Sequence, residues 1–205
     1  DLVGNQFVWI PVENIADYKR TAYSIQVASG TTDTATNSEQ IKYSSSDSDY
    51  FKEALPADEK TSVETNKGYY IGRYEAGDQE STEAKTLRED GASTSNTITV
   101  KAGQAPYNNI KYTDAKKLAE GFSTKQKYTS VKSKLVSSYA WDTAISFIQN
   151  CTDKTNYANQ NSLNKSFLST GTTNDNPCNI FDMASNVLEW TTETSSDSNY
   201  PCVYR

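Results

Sequence analysis

Three cysteines and no histidine limit the chemistry open to this sequence of 205 residues. Without imidazole there is no Ser-His-Asp or Cys-His nucleophile and no histidine-based metal site. Cys151, Cys178 and Cys202 form no Cys-x-x-Cys pair, so zinc-ribbon and thioredoxin-like arrangements are excluded. An odd count allows one disulfide and one thiol. Arg73 and Glu75 alternate along an apolar stretch and suit polar pairing of a structural kind. Trp9, Trp141 and Trp190 have the flat faces of a sugar platform. Two of them sit at strand or apolar-periodic positions, so a core role is the better reading.

Composition narrows the classes further. Twenty Lys and Arg against 26 Asp and Glu give a formal charge of −6, with a pI near 4.8. No basic block is present, so a nucleic-acid groove is not expected. No apolar run reaches membrane-spanning length, and no signal peptide is visible. Mean hydropathy is −0.75, yet aromatics make up 11%, more than a disordered chain carries. The length suits a single domain, 1–205, with a long insertion. The opening Asp1-Leu2-Val3-Gly4 reads as the interior of a longer polypeptide.

The elements that must position these residues follow from apolar spacing. Residues 6–12 read as a strand ended by Pro11, and 14–20 as a short helix. Residues 28–66 are rich in Ser, Thr, Asp, Asn and Glu, and are expected as a surface insertion with a helical turn near 49–55. Residues 68–77 form a second strand bounded by glycines, 97–100 a short one, and 106–109 a turn. Leu118, Ala119 and Phe122 follow Ala115 at helical spacing, predicting a helix over Thr113–Phe122 with Thr113 as its cap. Trp141, Ala144, Ile145 and Ile148 predict another over Ser138–Gln149, capped by Ser137 or Ser138. Each has one apolar face to lay on a sheet. Residues 150–178 read as an irregular loop, 179 onward as a turn, Val187–Thr191 as a strand and Cys202–Arg205 as the opening of another.

The segment Asn179-Ile-Phe-Asp-Met-Ala-Ser-Asn-Val-Leu-Glu-Trp-Thr-Thr-Glu193 resembles the hallmark of the formylglycine-generating-enzyme (sulfatase-modifying factor) family. It keeps Asp182, Met183, Ala184, Asn186, Val187, Glu189, Trp190 and Thr191 without a gap. Phe7–Val12 resembles the family's opening strand and Tyr69–Glu75 its second. Leu135–Ala144 matches the family's Leu-Pro-Thr-Glu-Ala-Glu-Trp-Glu-Tyr-Ala at Leu135, Trp141 and Ala144, with Asp142 for Glu. The resemblance implies an α+β, C-type-lectin-like fold: two helices beside a small, mostly antiparallel sheet, with many long loops.

It also frames the site. The family's enzymes use oxygen ligands near the hallmark, so Asn186 and Glu189 are candidates for calcium, which takes amide and carboxylate oxygens. In the favoured alternative, Asn186 closes a turn, Glu189 joins a buried hydrogen-bonded network, and no cofactor is held. Asp182 is expected to cap the turn, and Trp190 completes the motif. The family's oxidase holds copper with a cysteine pair beyond an Arg-Gly-Gly-Ser segment, and none of the three cysteines falls on those positions. Thiolates are what a soft copper ion needs, so no enzymatic activity is expected.

A narrower similarity points the same way. The hallmark, followed by Pro201-Cys-Val-Tyr-Arg205, is similar to variable proteins of diversity-generating retroelements in gut bacteria and their phages. There a lectin-like scaffold displays a hypervariable segment that starts after this arginine. The resemblance implies a non-enzymatic display scaffold on a phage or bacterial surface, lacking its C-terminal variable segment. The partner would be a protein or glycan read mainly by residues beyond Arg205, with Tyr200 and Tyr204 as contacts at the margin. The alternatives are a catalytically empty structural or adhesive surface protein and a truncated formylglycine-generating oxidase.

An exterior address would be oxidising. Cys178 precedes the hallmark and Cys202 follows its strand. If the chain returns antiparallel, the two come level, so a Cys178–Cys202 disulfide is expected. Cys151 is expected as a small buried thiol at the end of the second helix.

Overall fold

Alternation along Phe7-Val-Trp-Ile-Pro11 makes the first strand, β1, with Ile10 fully buried and Trp9 turned outward. The computed structural model describes residues 1, 3–20, 40–41, 51–78, 97–151, 157, 168–199 and 201–204. A 3-10 turn follows at Ile15–Asp17, where Asn14 Oδ1 accepts the Ala16 N–H at 3.0 Å. The chain continues through β2 (Gln40–Ile41), β3 (Phe51–Lys52), α1 (Ala57–Asn66), β4 (Gly68–Gly72), β5 (Gly77–Asp78), β6 (Ile98–Thr99) and β7 (Ala105–Pro106). Next come α2 (Tyr112–Lys125), α3 (Ser138–Cys151), a 3-10 turn at Pro177–Asn179, β8 (Trp190–Ser195) and β9 (Cys202–Tyr204). The fold is α+β, with small antiparallel sheets. Strands β1 and β4 pair, β2-β3-β8-β9 form a second sheet and β6-β5-β7 a third. Phe51 lies opposite Ser195, and Gly77 opposite Thr99 and Pro106.

The chain divides into two compact units, one of residues 1–8, 72–135 and 163–190, the other of 9–71, 136–162 and 191–205. In the first, the buried Leu118 and Phe122 lie four apart on one face of α2. Phe122 joins Tyr74 and Val100, flanked by Ile98, Tyr128 and Phe181, while Leu118 joins Tyr107, with Ile98 and Ile110 against it. Lys111, not Thr113, occupies the α2 cap and makes no side-chain cap bond. The expected 68–77 strand breaks between β4 and β5. Backbone groups there are taken by neighbours: Arg73 O accepts Phe181 N–H at 2.8 Å and Ala76 O accepts Tyr107 N–H at 2.7 Å.

The second unit is built around α3, where Ala144, Ile145 and Ile148 are fully buried. Val12, Tyr18, Val63, Tyr139 and Ala140 pack together, with Ile15, Leu55, Tyr69 and Val136 against them. Ser137 caps the helix: its Oγ accepts the Ala140 N–H at 3.0 Å and its carbonyl the Trp141 N–H at 2.9 Å. Two buried carboxylates complete that end. Glu53 Oε2 accepts from Ser138 N at 2.7 Å and from Ser138 Oγ. Glu59 Oε1 accepts from Tyr18 Oη at 2.6 Å and from Ser137 Oγ. Both carboxyl groups sit at the positive end of the helix dipole. Burial, then the Glu59 charge, pushes the Tyr18 phenol up, so it stays a donor.

Several expectations need correction. Within 28–66, residues 28–39 and 42–50 lie outside the described residues, and most of 51–66 is exposed. Yet Glu53, Glu59 and Val63 are buried, and α1 is a full helix in what reads as a polar insertion. Residues 51–52 are strand β3 rather than part of a helical turn. The strand expected at Val187–Thr191 starts only at Trp190. The Cys178–Cys202 bridge does not form. The segment after Cys178 is a chain of left-handed turns rather than a straight strand. Cys151 is exposed, because it ends α3.

Ser137→Ala should lower stability by about 1–2 kcal/mol, because it removes a cap and an acceptor-satisfying hydroxyl together. Urea unfolding followed by circular dichroism checks this, and an unchanged midpoint would show that Ser137 is no cap.

Candidate functional site

The hallmark segment builds its shape from residues that tolerate left-handed backbone. Asn179, Asp182 and Asn186 have φ of 64°, 64° and 65°, and Cys178 before them 52°. Asn and Asp accept this conformation more readily than other side-chain-bearing residues. Asp182 holds the first turns. Its N–H donates to Asp175 O at 2.8 Å and its carbonyl accepts Ser185 N–H at 3.1 Å. Its carboxylate accepts from Gly171 N–H at 3.4 Å and from the Thr173 hydroxyl. Burial pushes this carboxyl upward, against the lowering pull of Thr173 and Gly171. The capping role expected of Asp182 is what the structure shows.

Glycine is needed at one point of this loop. Gly171 has a φ of 72°, and a Cβ there would lie 2.5 Å from the Tyr74 ring.

Asn186 holds the next turn. Its Oδ1 accepts Leu168 N–H at 2.9 Å, and its Nδ2 donates to Leu168 O at 3.1 Å and to Glu75 Oε2 at 2.6 Å. Glu75 Oε1 also accepts the Val187 N–H at 3.1 Å. The second of these bonds is why no strand begins at Val187. Asn186 closes a turn, and the buried carboxyl beside it is Glu75, with Glu189 half-buried nearby. Burial, then the charges of Glu189 and Asp182, pushes Glu75 up to about 9.

This arrangement spends the Asn186 amide on the protein and turns its NH2 toward Glu75. Asn186 Oδ1, the oxygen that calcium would take, accepts the Leu168 N–H. Among the described residues no group of three Asp, Glu, Cys or His is placed to hold a metal ion. Arg73 and Glu75 do not bond each other: Arg73 reaches Gln6 and Asn179 instead.

The tryptophans separate. Trp141 is core, and Trp190 is half-buried, donating from Nε1 to Ile110 O at 2.8 Å with its ring edge-to-face on Tyr112. Trp9, expected in the core, is 37% exposed and packs edge-to-face on Tyr70 at 4.9 Å. Tyr200 lies outside the described residues, and Tyr204 is described only by its place on β9.

The raised Glu75 carboxyl makes stability fall with rising pH. The folded state keeps a proton that the unfolded chain loses above about 4.5, until the folded group ionises near 9. Its contribution is therefore fully present below pH 4.5 and declines through the window up to about 9, at about 1 kcal/mol per pH unit. Glu75→Gln keeps a neutral group of the same shape and should flatten this slope. Urea midpoints across that window check it, and equal slopes in both proteins would contradict the assignment.

The sulfatase-modifying factor enzyme 1-like domain matches residues 16–205. Comparison with curated proteins and with solved structures finds no match. With the hallmark turns and nearly the whole chain inside that match, this chain belongs to the family of sulfatase-modifying factor enzyme 1-like domains.

Proposed function

We propose that this chain is a non-enzymatic scaffold of C-type-lectin-like architecture that displays a ligand-binding surface on a phage or bacterial exterior. The observation that carries the reading is the Glu75–Asn186–Val187 network. The most distinctive polar side chains of the family segment bond to the protein itself, building a rigid turn, and are not held out toward a substrate. Similarity of the segment Asn179–Glu193 and of Pro201–Arg205 to variable proteins of diversity-generating retroelements supports the same role. So does the placement of the cysteines, none of which falls on the family's copper-binding positions. The ligand would be a protein or a glycan, with Tyr200 and Tyr204 at the margin of the surface that reads it.

Incubation with a cysteine-containing sulfatase peptide, with and without copper, should yield no formylglycine by mass spectrometry. Copper-dependent turnover would overturn the reading. A display margin also tolerates change, so Tyr200→Ser and Tyr204→Ser should each alter stability by less than about 0.5 kcal/mol. Unfolding of both variants would assign these tyrosines to the core instead.

A further inference from the structure

Arg73 is a cation held in place without being neutralised. Its backbone is fixed on both sides, since its N–H donates to Gln6 O at 3.0 Å and its carbonyl accepts Phe181 N–H at 2.8 Å. The guanidinium carbon lies 5.7 Å from the ring centroids of both Tyr74 and Phe181, which pack on each other at 5.0 Å. Such contacts hold the planar group by its face. One Nη donates to Gln6 Oε1 at 2.8 Å and the other to Asn179 Oδ1 at 3.3 Å. Both acceptors are neutral amides, and the second is set by the left-handed turn at Asn179. These contacts orient the fork and leave its charge intact. Among the described residues no carboxylate pairs with Arg73. Nε is buried and makes no hydrogen bond, while the side chain as a whole is half-exposed. Each terminal nitrogen carries two protons and uses one. A ligand would therefore meet the fork end-on.

We propose that Arg73 is a preorganised receptor for a single carboxylate of a binding partner. A planar fork matches a carboxylate with two parallel hydrogen bonds. The monovalent charge suits one cation, whereas a phosphate or sulfate dianion asks for more positive charge than this fork supplies. In a chain of formal charge −6, such a point also selects where an acidic group can approach. The inference stands apart from the display role, because it concerns one side chain and an anion of known chemistry.

The test is an NMR titration of the isotopically labelled chain with sodium acetate, against sodium chloride at equal ionic strength. The side-chain amide signals of Gln6 and Asn179 report directly on the site. A saturable shift with acetate and none with chloride is expected, and Arg73→Gln should abolish it. Arg73→Lys keeps the charge and loses the fork, so it should lose saturation as well. Equal saturation in the lysine variant would overturn the fork. A linear shift shared with chloride overturns the receptor in the wild-type chain, whether or not the variants fold. Saturation by inorganic phosphate or sulfate at far lower concentration than acetate overturns the single-carboxylate assignment. Two peptides separate the sources of the carboxylate. One has a free C-terminus and no acidic side chain, the other an amidated C-terminus and one Asp. Preference for the first assigns a chain terminus, preference for the second an acidic side chain, and failure of both overturns the proposal.

Discussion

A carboxyl group removed from water must either lose its charge or have that charge met by donors, and each unit is organised by that constraint. In the first unit Glu75 takes the first course and is held neutral, accepting from Asn186 and Val187. In the second, Glu53 and Glu59 take the other course at the start of α3, where hydroxyls, a backbone N–H and the helix dipole converge on them. Glu193 is met by Arg20, both nearly inaccessible to water. Removing either member of that pair would strand a buried charge, a larger loss than the pair itself contributes to stability.

This dependence on buried polar groups follows from composition. With 35% hydrophobic residues, the chain has little apolar sequence for long strands. Many of its strands are two residues long, and their edges are completed by loops. Loops that carry so much of the core must have their own backbone groups satisfied. Asn and Asp in left-handed turns perform that task here. Asp182 and Asn186 each bend the backbone and bond the adjacent segment with the same side chain.

That logic separates what the sequence makes legible from what it hides. The helices α2 and α3 announce themselves because Leu118 and Phe122, or Ala144, Ile145 and Ile148, repeat with the helical period. Helix α1 has no such repeat: only Val63 among its larger side chains is apolar, and its inner face is completed by Glu59 bonding to Tyr18. An acidic residue pointing inward looks like solvent-facing helix until its partner, 41 residues away in the chain, is known. Glu75 was visible as a candidate for a polar pair, but its partner Asn186 lies 111 residues on. The family hallmark was readable as a motif, whereas its turns displaced the start of β8.

Arg73 and Glu75 show how far formal charge departs from charge in the folded chain. Counted from sequence, the two cancel. In the fold, burial pushes Glu75 up to about 9, while Arg73 is half-exposed among neutral acceptors. Protonation of Glu75 alone reduces the formal −6 by one. The separation arises where the chain leaves β4 after Gly72: the Glu75 side chain is closed in by Asn186, and that of Arg73 reaches Gln6 and Asn179. Had the two side chains met, Arg73 would have stabilised the ionised form of Glu75. The buried acid that holds the Val187 turn and the half-exposed cation two residues before it follow from the same end of β4.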